Sequence, residues 1–192
     1  MKLVAVVLAA GAGRRFGGDK MAASFRGEPL IAHAIRAARA APVDRVLVVC
    51  PPGFAIGDWP DQPPVEAVRL PSTELSASLK AGIAAAAGAD GAFVFLGDMP
   101  LIPHDLAAML ADALGDGYAA MPRFTGQPGH PVLLSGRAMG DVPSLTGDQG
   151  AGPLLKAHED IVFVDCTVEG VVSDIDRAED LTRLEQGPPP RS

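Results

Sequence analysis

Uninterrupted apolar runs alternate along this chain with stretches whose apolar residues recur every three or four positions. "KLVAVVLA", "DRVLVVCPP" and "GAFVFLGDMP" hold continuous apolar runs, the signature of strands buried on both faces of a parallel sheet. The prolines after Cys50 stop the second run, because proline cannot donate to a ladder. Between the runs, "PLIAHAIRAARAA" predicts a helix with Pro29 in its first turn. "ELSASLKAGIAAAAG" predicts a helix entered through serines and closed by Gly88, and "PHDLAAMLADALGDG" predicts another. "YAAMPR" and "PVLLS" are short strand candidates around the polar loop "FTGQPGH". "DIVFVDCTV" is a late strand before a final helix, "RAEDLTRLEQ". Residues 51–64, rich in Pro, Gly and Asp, read as a surface excursion. Such β-α alternation predicts a three-layer α/β/α, Rossmann-like fold with a mainly parallel sheet, in which ligands sit at the carboxyl ends of strands.

Composition narrows this picture. With 192 residues, 48% of them hydrophobic, the chain fits one domain over residues 1–186, followed by a frayed tail, 187–192. A net charge of -7 argues against a general nucleic-acid binder, whose phosphate contacts need a basic face. The two cysteines, Cys50 and Cys166, stand apart beside strand-like runs, which predicts buried, reduced thiols and neither a zinc site nor a disulfide. "MKLVAVVLAAGAG" loosely imitates a secretory signal, but its apolar core is short, arginines follow at once, and its loss would remove the most strand-like segment. No stretch approaches the ~20 apolar residues of a membrane span, so the expectation is a soluble cytoplasmic protein.

Against this acidic background the cations of "LAAGAGRRFGGDK" stand out. Gly11, Gly13, Gly17 and Gly18 let the backbone turn tightly and bring its N–H groups close to a ligand, as loops that cradle phosphates do. Arg14, Arg15 and Lys20 add forked and point-like donors for phosphate oxygens. "GAGRRFG" is one residue off the dinucleotide fingerprint, and the second strand ends in "VVCPP" without the acid that would hold a ribose. The Gly-Lys-Ser/Thr signature of the other common phosphate loop is absent. A merely solvated basic loop and a dinucleotide site for hydride transfer stay open beside the phosphate reading.

Asp98 stands at the carboxyl end of the third strong strand, facing the crevice of the glycine loop. It is either a helix-capping acid or a holder of Mg²⁺, which takes one or two carboxylates plus substrate phosphates. Asp174 and Asp176 in "SDIDRAED" could complete such a site, while Glu179 and Asp180 fit a cap of the last helix.

"LAAGAGRRFGGDK", "ELSASLKAGI", "FLGDMP", "GQPGHPVLL", "LTGDQGAG" and "DIDRAEDL" occur in the order seen in the MobA-like nucleotidyltransferases, and the set most resembles the branch of molybdenum cofactor cytidylyltransferases. The resemblance spans nearly the whole chain. It implies a loop running through Ala9, Ala10, Gly11, Gly13, Arg14 and Arg15 that wraps a nucleoside triphosphate, with Arg15 holding the outer phosphates and Arg14 either structural or at the rim. It also implies that Lys20 stabilises the transferring phosphate, that Asp98 with Gly97 beside it binds magnesium and nucleotide, and that Ser76 and Ser78 lie near base and ribose. His130 in "GHP" is either a pterin-side residue by resemblance or a structural histidine. The implied reaction transfers CMP from CTP to the phosphate of molybdopterin, with a molybdoenzyme or its maturation chaperone as partner. Alternatives are guanylyl transfer to the same acceptor, an oxidoreductase of the same superfamily, and a catalytically silent nucleotide-binding partner. Ala10 resembles the cytidylyl branch, because related guanylyltransferases read Leu-Ala-Gly-Gly where this chain has Leu8-Ala9-Ala10-Gly11. Two positions depart from the family pattern, Arg177-Ala178 in place of Thr-Pro and Gly152 in place of arginine, and these bear on the substrate.

Overall fold

A computed structural model describes residues 1–10, 16–72 and 74–186. The chain opens with β1 (Leu3–Leu8), every residue of it buried, then forms a small hairpin of β2 (Ser24–Phe25) and β3 (Glu28–Pro29) and enters α1 (Leu30–Ala40). β4 (Val46–Cys50), β5 (Val65–Arg69), α2 (Leu75–Ala85) and β6 (Gly91–Leu96) follow. α3 (Leu106–Ala113), β7 (Ala119–Phe124), β8 (Gln127–Pro128), β9 (Val132–Ser135) and α4 (Gly136–Asp141) come next. α5 (Gly152–Lys156), β10 (Ile161–Asp165) and α6 (Ala178–Gln186) complete the order.

The sheet runs β10-β7-β9-β6-β1-β4-β5, with β8 hooked onto β7. β1 pairs in parallel with both β4 and β6, and β4 with β5 and β10 with β7 are also parallel. β9 alone reverses the main path, antiparallel to β6 and β7. Alternate residues of β1 supply two cores. Leu3, Ala5 and Val7 pack with Ile31 and Ile35 of α1 and Leu106 and Leu110 of α3. Val4, Val6 and Leu8 pack on the other face with Leu79 and Ile83 of α2 and Ala138 and Met139 of α4. The expected three-layer, mainly parallel architecture is therefore present, each fully buried Val, Leu or Ile contributing ~1.5–3 kcal/mol of transfer free energy.

Local differences from the expected elements have physical causes. α2 is not entered through a serine side chain: Glu74 holds the cap position without a side-chain bond, while Ser76 and Ser78 lie inside the helix and are buried. Pro29 ends β3 at the cap position of α1 rather than sitting in its first turn. β5 lies at the sheet's edge and is half exposed, so it lacks the continuous apolar run of its neighbours. Its Arg69 pins the excursion, donating to the carbonyls of Pro51 and Phe54 and to Cys50 Sγ. Both cysteines are free; Cys50 is buried, and Cys166 only half-buried, because it follows the edge strand β10.

The approach of α2 to the sheet depends on one missing methyl. A Cβ at Gly82 would enter the van der Waals shell of Val6 Cγ1 and stand 3.1 Å from Val49 Cγ2. Val6 and Val49 are fully buried and cannot retreat. Gly82→Ala is expected to cost about 1–3 kcal/mol of stability through overpacking, read as a lower denaturant midpoint at an unchanged slope.

Candidate functional site

The carboxyl ends of β1 and β6 form the floor of the site. Gly97 N–H donates to the Leu8 carbonyl at 2.9 Å and Ala9 N–H to the Val49 carbonyl at 2.8 Å, so the chain just beyond both strands is held level. A Cβ at Gly97 would meet Ile31 Cδ1 at 2.8 Å, Met21 Sδ at 3.0 Å and the Leu8 carbonyl at 3.1 Å. Packing thus accounts for this glycine, whose neighbour Asp98 projects from the strand end.

Lys20 opens a single 3-10 turn, Lys20–Ala22, whose end is tied by Asp19 Oδ1 accepting from Ala22 N–H at 3.3 Å and whose Met21 is buried. From this fixed base Lys20 Nζ donates to Asp98 Oδ2 at 2.6 Å and to the Ile175 carbonyl at 2.8 Å. Asp176 Oδ1 lies 4.0 Å from the same ammonium. The Lys20 side chain is only 10% exposed and that of Asp98 21%, so little water screens the pair.

The third arm of the site is the segment before α6. Ile175 N–H donates to the Asp98 carbonyl at 3.0 Å, and the Ile175 side chain is buried beside Phe25 and Leu30. Asp174 stays open to solvent as a residue. Its carboxyl is nevertheless held above the ordinary value, first by desolvation, then by the charge of Asp98 and more weakly of Asp176, with Lys20 pulling the other way. Asp180 fixes the following turn, its Oδ2 accepting from the N–H groups of Asp176 at 3.0 Å and Arg177 at 2.8 Å.

His130 joins from the loop before β9. Its N–H donates to the Val171 carbonyl at 2.8 Å. Burial holds the ring's pKa down, opposed by a hydrogen bond to the Val94 main chain and by the charges of Asp98 and Asp174. Nδ1 is buried without a partner. The segment 168–172 is pressed close: a Cβ on Gly129 would collide with the Val171 carbonyl, and one on Gly170 with that of Leu101.

Ala9 and Ala10 are buried at the strand end, each 2% exposed. Ser76 and Ser78 are buried too: Ser76 main-chain N–H donates to the Gly147 carbonyl of a neighbouring loop, and Ser78 Oγ donates to the Glu74 carbonyl at the helix start. Gly11, Gly13, Arg14 and Arg15 lie outside the described residues. Among the described residues, no three His, Cys, Asp or Glu side chains form a ready-made metal group. The Ile175 carbonyl, which completes the lysine's coordination, carries no signal in sequence because any residue would supply it.

Residues 5–161 match the family described as MobA-like NTP transferase domain. This chain belongs to that family. The MobA-like assignment is carried further by relatives covered over nearly their whole length. The chain is 29% identical over 192 residues to a protein named purine catabolism protein PucB of Bacillus subtilis, covering 93% of each. It is 28% identical over 190 residues to a probable molybdenum cofactor guanylyltransferase of Deinococcus radiodurans, covering 96% of this chain and 94% of that one. Among solved structures, Rv0371c of Mycobacterium tuberculosis superposes with a TM-score of 0.79 at 25% identity, covering 97% of this chain and all of that one. In this enzyme of the nucleotidyltransferase superfamily, Lys20, Asp98, Asp174, Asp176 and the buried His130 lie near one another at the carboxyl edge of the sheet. No described helix is long and apolar enough to cross a membrane.

Asp180→Ala removes the acceptor for two main-chain donors and should cost about 1 kcal/mol at neutral pH. These bonds hold the native carboxyl below 3.8, its ordinary value, so the contribution is complete above that value and lost as pH falls through the lower native one. Denaturant midpoints of wild type and variant should differ at neutral pH and converge only in strong acid.

Proposed function

We propose that this protein transfers a nucleotidyl group from a nucleoside triphosphate to the phosphate of a molybdopterin-type acceptor, with release of pyrophosphate. The observation that carries this reading is the convergence of Lys20 Nζ, Asp98 Oδ2 and the Ile175 carbonyl at the carboxyl edge of the sheet. Such an edge is where open α/β sheets bind nucleotides. An acceptor phosphate oxygen attacks the α-phosphorus, the bond from that phosphorus to the bridging oxygen breaks, and pyrophosphate departs with the electron pair. No covalent enzyme intermediate is needed. The protein's part is alignment and neutralisation of developing charge.

Lys20 meets the α-phosphate, while Arg15 and the amides of the glycine loop hold the outer phosphates. Asp98, assisted by Asp174 or Asp176, is the holder of a divalent cation such as Mg²⁺. The cradle fits one: a carboxylate and a main-chain carbonyl already face a single cationic group at 2.6 and 2.8 Å. One or two carboxylates suffice when phosphates and water supply the rest. When bound, the cation offsets negative charge on the triphosphate. His130 belongs to the acceptor side.

Guanine is the donor base supported by the Deinococcus radiodurans relative, whose name is that of a molybdenum cofactor guanylyltransferase. Cytosine is the second reading, supported by Ala10, whose buried methyl stands where related guanylyltransferases carry glycine and would narrow the base pocket against a purine. Pyrophosphate release with GTP and CTP, with and without purified molybdopterin, tests both. Tighter GTP binding in calorimetry is the expected result. A preference for CTP by several-fold that narrows in Ala10→Gly would establish the cytidylyl reading instead.

Asp98→Asn should fold normally and lose most turnover, because the amide keeps the size of the carboxylate without its charge. Lys20→Met should lower kcat on the order of a hundredfold, roughly 3 kcal/mol, with a much smaller loss of nucleotide affinity. Melting temperatures near wild type confirm that the losses are chemical, and turnover within a few-fold of wild type for Asp98→Asn would remove that residue from the mechanism.

A further inference from the structure

Lys20 stands where a divalent cation held by Asp98 would have to go. Its ammonium faces Asp98 Oδ2 at 2.6 Å, the Ile175 carbonyl at 2.8 Å and Asp176 Oδ1 at 4.0 Å. Two carboxylates and a main-chain carbonyl are the hard oxygen donors that divalent cations take. An ammonium bonded to Asp98 Oδ2 and a metal ion on that same oxygen would lie within a few ångströms of each other, where like charges repel strongly in a poorly solvated site.

We infer that Lys20 is the resident counter-ion of this cradle, and that the triphosphate of an incoming nucleotide draws it away, so the cradle opens to a divalent cation only when nucleotide arrives. The inference rests on the reading of Asp98 as the cation holder. The fold provides the means. The lysine's base is fixed by the buried Met21 and the Asp19 bond, so movement is confined to a flexible four-carbon stem carrying three donors. The oxygen donors do not move with it: Ile175 is bonded through its own N–H to the Asp98 carbonyl and buried through its side chain.

Two consequences follow. A cation approaching the nucleotide-free protein meets a site already neutralised, and its apparent affinity falls by the fraction of molecules whose lysine is withdrawn. Nucleotide and cation then strengthen each other's binding by equal factors, because linkage is reciprocal. Removing the lysine's charge should therefore impair chemistry yet improve cation binding in the absence of nucleotide, a combination that a lysine acting only on phosphates would not produce.

The test is titration of Mn²⁺, followed by the paramagnetic resonance signal of the free ion, into the full chain without nucleotide. Wild type should bind weakly, and Lys20→Met about tenfold or more tightly, the gain being the relief of competition. The double variant Lys20→Met/Asp98→Asn should lose that gain. Lys20→Gln, whose amide can still donate to Ile175, serves if Lys20→Met does not fold. Equal, Asp98-dependent affinity in wild type and variant overturns the counter-ion role alone. Binding that ignores Asp98→Asn, or no binding at all, overturns the cation-holding reading with it. Failure of both lysine variants to fold overturns the lysine as a displaceable group and makes it part of the framework.

Discussion

One ammonium ties this site together. Lys20 bonds to partners 78 and 155 residues away in sequence, and through them joins the end of β6 to the segment that leads into α6. That positive charge lies among three carboxylates, bonded to the largely covered Asp98 and 4.0 Å from the more exposed Asp176, with Asp174 close by. The Asp174 carboxyl is held above its ordinary value first by desolvation and then by the charge of Asp98, with Lys20 opposing. Other contacts hold the same edge. Ile175 must present its carbonyl inward, Asp180 holds the turn that allows this, and the 168–172 segment lies flat enough that Gly129 and Gly170 have no room for a side chain.

The reversal at β9 brings residues from a second half of the sheet to the same edge. β1, β4, β5 and β6 run in parallel, so their carboxyl ends share an edge. β9 enters the sheet from that edge, bringing His130 down into the space between β6 and β7. A strand in the usual parallel sense would have placed the residues before it at the opposite end, far from Asp98. A single change of strand direction thus brings His130 to the same sheet edge as Lys20 and Asp98, from a different half of the sheet.

Much of this was legible in the sequence because burial on both faces writes itself as unbroken apolar runs, and β1, β4 and β6 carry such runs. Asp98 and Lys20 were legible for a different reason: Asp98 comes directly after β6, and Lys20 closes the cation-bearing, glycine-rich stretch that follows β1 in an otherwise acidic chain. Other features left weaker traces. β5 has only one protected side, so its residues "VEAVR" alternate too loosely to stand out. Ser76 and Ser78 matched an expected pattern, yet their burial inside α2 shows that helix packing also explains them. The contact between Lys20 Nζ and the Ile175 carbonyl was invisible, since main-chain atoms are the same at every position and only the fold decides which of them meet.

The central place of β1 also sets a timetable. Among its neighbours β4 arrives first, while β6 arrives much later: Lys2 N–H bonds to Asp90, 88 residues further on. At synthesis rates of about 5–20 residues per second, that interval lasts on the order of several seconds. From the completion of β4 to that of β6, this wholly buried strand can have one flank covered by β4 while the other stays bare. The nascent chain therefore carries an unpaired, hydrophobic strand edge through much of its production, and the cell's holding factors have longest access to the segment that ends up deepest in the finished molecule.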